Sequence, residues 1–92
     1  MAADADETVE GAVRDVLSKT LGRSAAETLL FYANIYGVAT HPEGFSEAIR
    51  KLLGKGGDVL LGQMIGEISL RTGVHPSPDF ADFIREVVRR RR

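Results

Sequence analysis

The chain has no cysteine and no tryptophan. Without thiols it has no disulfide framework, no thiolate zinc site and no cysteine nucleophile. It also lacks a net charge of consequence. Lys+Arg 12 against Asp+Glu 13 leave −1 over 92 residues, so no global basic field draws nucleic acid to it. No apolar run approaches the roughly 20 residues that a membrane-spanning helix needs. The opening MAADADETVE carries only acidic charge, where a signal peptide has a basic stretch and then an apolar one. These absences lead to the expectation of one small cytoplasmic domain over residues 1–92, with 1–7 a frayed acidic end and 89–92 a basic tail. A hydrophobic content of 43% suffices for one modest core at this length.

What the chain has is glycine at intervals. Gly22, Gly37 and Gly44, then Gly54, Gly56 and Gly57, then Gly73 with Pro76 and Pro78, separate segments of helix length. Over Thr8–Leu21, Val9, Val13, Val16, Leu17 and Leu21 recur at 3/4 spacing, with Thr8 as N-cap and Gly22 as the left-handed residue past the end. Ser24 and Glu27 form a capping box opening a second helix. Leu29, Leu30, Phe31, Tyr32, Ile35 and Tyr36 make that helix apolar nearly all round, which predicts a central, buried element.

Pro42 leads into a third helix over Phe45–Leu53, with Phe45, Ala48, Ile49, Leu52 and Leu53 inward. A fourth, again mostly apolar, spans about Asp58 to Thr72, and Ser77-Pro78-Asp79 starts a fifth. No stretch alternates with period 2. The predicted fold is all-α, a compact bundle of five short helices.

An internal helix-pair duplication is visible in the same residues. Phe45-Ser46-Glu47-Ala48-Ile49-Arg50-Lys51-Leu52-Leu53 aligns without gaps to Phe80-Ala81-Asp82-Phe83-Ile84-Arg85-Glu86-Val87-Val88, 35 positions on. Val9–Leu17 is a weaker third copy. Leu21-Gly22-Arg23 echoes Leu53-Gly54-Lys55, and Gly37-Val38 echoes Gly73-Val74. The reading is A-B-A-B-A, three amphipathic helices flanking two buried ones. The competing reading is coincidence among amphipathic helices that share an aliphatic 3/4 pattern.

The candidate sites are few. Gly54-Lys55-Gly56-Gly57 opens a helix and invites an anion at Lys55, but position 49 is Ile and no Ser or Thr follows Lys55, so it is no P-loop; a tight α-α turn is the plainer reading. Gly62, Gly66 and Ser69 form a small-residue face on the fourth helix, a candidate self-association seam, with the second helix or a second copy as its neighbour.

His41 and His75 each precede a proline in a loop and have no fixed partners for zinc or base chemistry. Glu10 with Arg14, Glu47 with Lys51 and Glu86 with Arg90 are i, i+4 supports. Arg85, Arg89, Arg90, Arg91 and Arg92 exceed what a helix C-terminus needs and form the candidate nucleic-acid contact. No catalytic, cofactor-binding or metal-binding set is expected.

The stretch His41–Val74, HPEGFSEAIRKLLGKGGDVLLGQMIGEISLRTGV, resembles a small archaeal helical output domain, the nitrosopumilus output domain. The likeness lies in a Pro-x-x-Phe helix, Leu53 followed by Gly-x-Gly, and a hydrophobic helix; Leu21-Gly22, Ala25, Ala26, Leu30, Tyr32 and Gly37 fit its first half. Leu53 stands where many members carry an aromatic, and Gly62 replaces a larger, often acidic residue. The resemblance implies an archaeal, cytoplasmic signal-transduction output domain with no established reaction. The expectation is therefore a non-enzymatic protein-interaction or regulatory module, self-associating as a homodimer and bound to a protein partner. A nucleic-acid-associated regulator using the C-terminal arginines is the alternative.

Overall fold

The chain turns at glycine. Gly22 and Gly54 hold φ of 87° and 60°, a region that strains any residue with a Cβ. Each donates its N–H to the carbonyl four residues back, Ser18 at 2.9 Å and Arg50 at 2.7 Å, and so ends one helix as the next begins. The computed structural model describes residues 4–33 and 37–91. Among them are five helices and no strand: α1 (Asp4–Leu21), α2 (Arg23–Ala33), α3 (Pro42–Leu53), α4 (Lys55–Thr72) and α5 (Phe80–Arg91). The predicted all-α bundle is the fold.

The helix starts differ from the predicted ones in informative ways. α1 begins at Asp4, so Thr8 lies inside it, and residues 4–7 of the expected frayed end are helical. Acidic Glu7 lies near the positive end of the helix dipole, which favours helix there. The Ser24 capping box does not form. The Gly22 carbonyl already accepts the Ala26 N–H at 3.0 Å, which makes Arg23 the first helical residue and places Ser24 inside the helix. Glu27 instead pairs with Arg14 at 2.8 Å. At α5 the cap is Asp79, whose Oδ2 accepts the Asp82 N–H at 2.9 Å; Pro78 precedes the cap and stays outside the first turn.

Packing places α4, not α2, in the middle. α4 lies against α1, α3 and α5, whereas α2 packs on α1 and more lightly on α3. The inward aliphatic stripes meet there: Val13 and Leu17 of α1, Ile49 of α3, Met64 and Ile68 of α4, and Ile84 of α5 are fully buried. At two positions of the repeated frame burial agrees, since Val9, Phe45 and Phe80 are all buried and so are Val13, Ile49 and Ile84, but Leu52 is half exposed where its counterpart Val87 is buried.

Two expectations fail here. α2 is peripheral: Leu29 and Leu30 are buried, but Phe31 is 82% and Tyr32 71% exposed. Ile35 and Tyr36 lie outside the described residues. α2 packs mainly on α1 and only lightly on α3, which leaves its outer side uncovered. Leu52, expected inward, is half exposed at the end of α3.

At the second corner the backbones touch. A Cβ on Gly57 would fall 2.8 Å from the Ile49 carbonyl oxygen, so only glycine lets α4 leave α3 at this angle. The predicted tight α-α turn is what the Gly54–Gly57 loop forms, with Asp58 in the first turn of α4.

Candidate functional site

Because α4 is mostly apolar and only one of its sides meets the core, a stripe without charge is left outside, beside the polar edge of Glu67 and Arg71. Helical periodicity aligns Val59, Gly62, Gly66 and Leu70 on that side. Val59 is 62% and Leu70 83% exposed, and both glycines are exposed with nothing within 4 Å of the Cβ either would carry. The neighbour expected within the chain, α2, does not lie against this face. Ser69, the third expected member, sits at its edge, where its hydroxyl donates to the Val74 carbonyl at 2.7 Å and helps close α4.

A second apolar surface runs from the corners along α2. Leu21 and Leu53 line two adjoining clefts of about 580 and 340 Å³. The larger lies between α2 and α3, walled by Ser24, Ala25, Thr28, Leu29 and Tyr32 on one side and Leu52 on the other. The smaller reaches Val59 and so touches the start of the α4 stripe.

The charges are mostly paired. Arg50 binds Asp58 at 2.7 Å, and Arg71 joins Asp15 at 2.5 Å to Glu67 at 2.9 Å, tying α4 to α1. Among the candidate anion contacts, Arg85 pairs with Glu43 and with Asp82. Arg89 and Arg90 both bind Glu86, and their hydrogen bonds, Arg89 first, pull its carboxyl from the usual 4.5 down to about 2. Arg91 closes α5, and Arg92 lies outside the described residues. Lys55 is exposed at the α3–α4 corner and, among the described residues, pairs with no carboxylate. Of the predicted i, i+4 pairs, Glu86 with Arg90 forms, whereas Glu47 and Lys51 do not pair.

His41 precedes α3 and His75 lies between α4 and α5; both are exposed. Among the described residues, no group of three His, Asp or Glu is placed to hold a metal ion. None of their helices is long and apolar enough to cross a membrane. No family model, no curated protein and no solved structure matches this chain.

Lys19, Arg23 and Lys51 are not among the site candidates singled out from sequence, although Lys19 and Arg23 flank the Gly22 corner as Lys51 and Lys55 flank the Gly54 corner. The signal was available in the pentapeptides KTLGR (19–23) and KLLGK (51–55), the same lysine-x-leucine-glycine-cation pattern in both halves.

Proposed function

We propose that this protein is a non-catalytic interaction module that self-associates through the outer face of α4. The observation that carries the reading is the exposed sequence Val59-x-x-Gly62-x-x-x-Gly66-x-x-x-Leu70. Each glycine lowers helix stability by about 1 kcal/mol relative to alanine, and no packing inside the chain repays it. An exposed aliphatic side chain at each end flanks the bare centre. The pattern reads nearly the same in both directions, so an isologous two-fold contact, in which residue i meets j and j meets i, would set like residues against like. Two antiparallel copies of α4 would set Gly62 near Gly66 of the mate and Val59 near Leu70 of the mate.

The resemblance of His41–Val74 to the archaeal output domain supports a cytoplasmic role downstream of a signal, with a protein as the onward partner. The nucleic-acid alternative through Arg85 and Arg89–Arg92 has less support, because Arg85, Arg89 and Arg90 already hold carboxylates of their own chain.

Light scattering coupled to size exclusion, over a concentration series, tests the reading. The native chain is expected to pass from monomer to dimer, and Leu70→Glu to remain monomeric while keeping its helical circular dichroism. A native chain that stays monomeric at the highest concentration overturns self-association.

A further inference from the structure

Four cations stand apart from the ion pairs. Arg14, Arg50, Arg71, Arg85, Arg89 and Arg90 each hold a carboxylate, whereas among the described residues Lys19, Arg23, Lys51 and Lys55 hold none. Their positions follow from the duplicated corners. Lys19 and Lys51 lie in the last turns of α1 and α3, where the helix dipole favours a cation. Arg23 and Lys55 are the first residues of α2 and α4, where the dipole is itself positive. α2 has no acidic residue in its first turn, and the one in α4, Asp58, is taken by Arg50. This end of the bundle is therefore positive at Arg23, Lys51 and Lys55, whereas Lys19 faces the α1–α4 cleft beside Asp15 and Glu67; the nearest free carboxylate on the same edge of α3 is Glu47, one turn before Lys51.

The two corners are neighbours, since Leu21 and Leu53 line the same clefts. From them a trough follows α2 from Ser24 to Tyr32, about 12 Å at 1.5 Å per residue, with Leu52 as the facing wall. It opens because α2 packs only lightly on α3. Its shape is concave and bounded by two helices, which suits a third rod. A bilayer would instead lie flat on protruding groups.

We infer that this trough binds an acidic amphipathic helix of a partner protein. Its aliphatic side chains seat against Leu21, Ala25, Leu29, Tyr32 and Leu52, and its carboxylates meet Arg23, Lys51 and Lys55, which adjoin the lining residues Ser24, Leu52 and Gly56. The inference names a partner class for the interaction-module reading and rests on it, but uses none of the stripe between Val59 and Leu70.

The test is a titration of the isotope-labelled full chain with a Leu/Glu peptide of about 16 residues, long enough for a marginal helix. A Leu/Lys counterpart and phosphatidylglycerol vesicles serve as separate arms. The Leu/Glu peptide is expected to shift backbone amides of residues 21–32 and 48–55, and the affinity to fall with salt. Leu52→Glu, at a half-exposed position, and the double variant Lys51→Glu/Lys55→Glu are each expected to weaken it by about tenfold or more, both remaining folded by circular dichroism. Leu70→Glu should bind the peptide as the native chain does even where it no longer dimerises, so the two readings fail independently. Equal binding of the Leu/Lys peptide, shifts outside the trough, binding of vesicles alone, or no binding at millimolar peptide overturns the inference.

Discussion

The ring of Phe45 stacks on the ring of Phe80, with centroids 5.8 Å apart and planes 29° from parallel. These residues open the two best-matched copies of the repeated frame, and Phe45 of α3 packs on its counterpart Phe80 of α5. The copies share hydrophobic positions but not their charge partners, since Arg50 binds Asp58 while Arg85 binds Glu43 and Asp82. Burial holds the frame in common, and each copy satisfies its arginine with whatever carboxylate lies near.

A double-mutant cycle measures that contact. Phe45→Leu and Phe80→Leu are each expected to destabilise the chain by about 1–2 kcal/mol through lost apolar contact and imperfect refilling. The pair should be non-additive by about 0.5–1.5 kcal/mol, the usual worth of an aromatic pair beyond its area. Urea unfolding of the four proteins reads it; strict additivity would mean the rings pack beside each other without coupling.

Adjacent glycines at the second corner should respond with opposite signs. Gly57→Ala forces a methyl group against the Ile49 carbonyl oxygen and is expected to cost about 1–3 kcal/mol. Gly56→Ala meets open space at ordinary φ and should gain up to about 1 kcal/mol from helix propensity. Thermal unfolding of the two variants checks the order, and a tolerated Gly57→Ala contradicts the close approach of α3 and α4.

Acid should loosen the last turn of α5. Glu86 titrates near 2 when folded, below its usual value, because Arg89 and Arg90 hold its charged form. A lowered folded value means the pairing contributes fully above the unfolded value of about 4.3 and is lost as pH falls through 2. The Glu86 carboxyl carbon resonance should therefore titrate with a midpoint near pH 2, and Glu86→Gln should remove the pH dependence of amide protection at 88–90. A midpoint at the ordinary glutamate value would show that the arginines do not hold it in solution.

The corners and inward stripes were legible because their causes are local. Gly22 and Gly54 end helices through their own φ, and Val13, Ile49 and Ile84 repeat at helical spacing wherever the bundle closes. Which apolar helix occupies the centre was not legible. α2 and α4 are both mostly apolar, and the choice rests on the surface each finds, a property of the assembled bundle. The same ambiguity hid the candidate surfaces: Phe31, Tyr32, Leu52 and Leu70 look like core residues until the helices that might cover them are placed elsewhere. Ser24 misled for a narrower reason, since its cap geometry was pre-empted by the Gly22 carbonyl two residues earlier.

The most direct measurement is sedimentation equilibrium of the native chain beside the double variant Gly62→Ala/Gly66→Ala, with thermal midpoints taken on the same samples at a concentration where both are monomeric. The account predicts opposite effects: a more stable monomer, by up to about 2 kcal/mol from helix propensity, and a weaker dimer, because two methyl groups hold the α4 helices apart. A stabilised variant that dimerises as well as the native chain would contradict it, and the bare face of α4 would then be no seam.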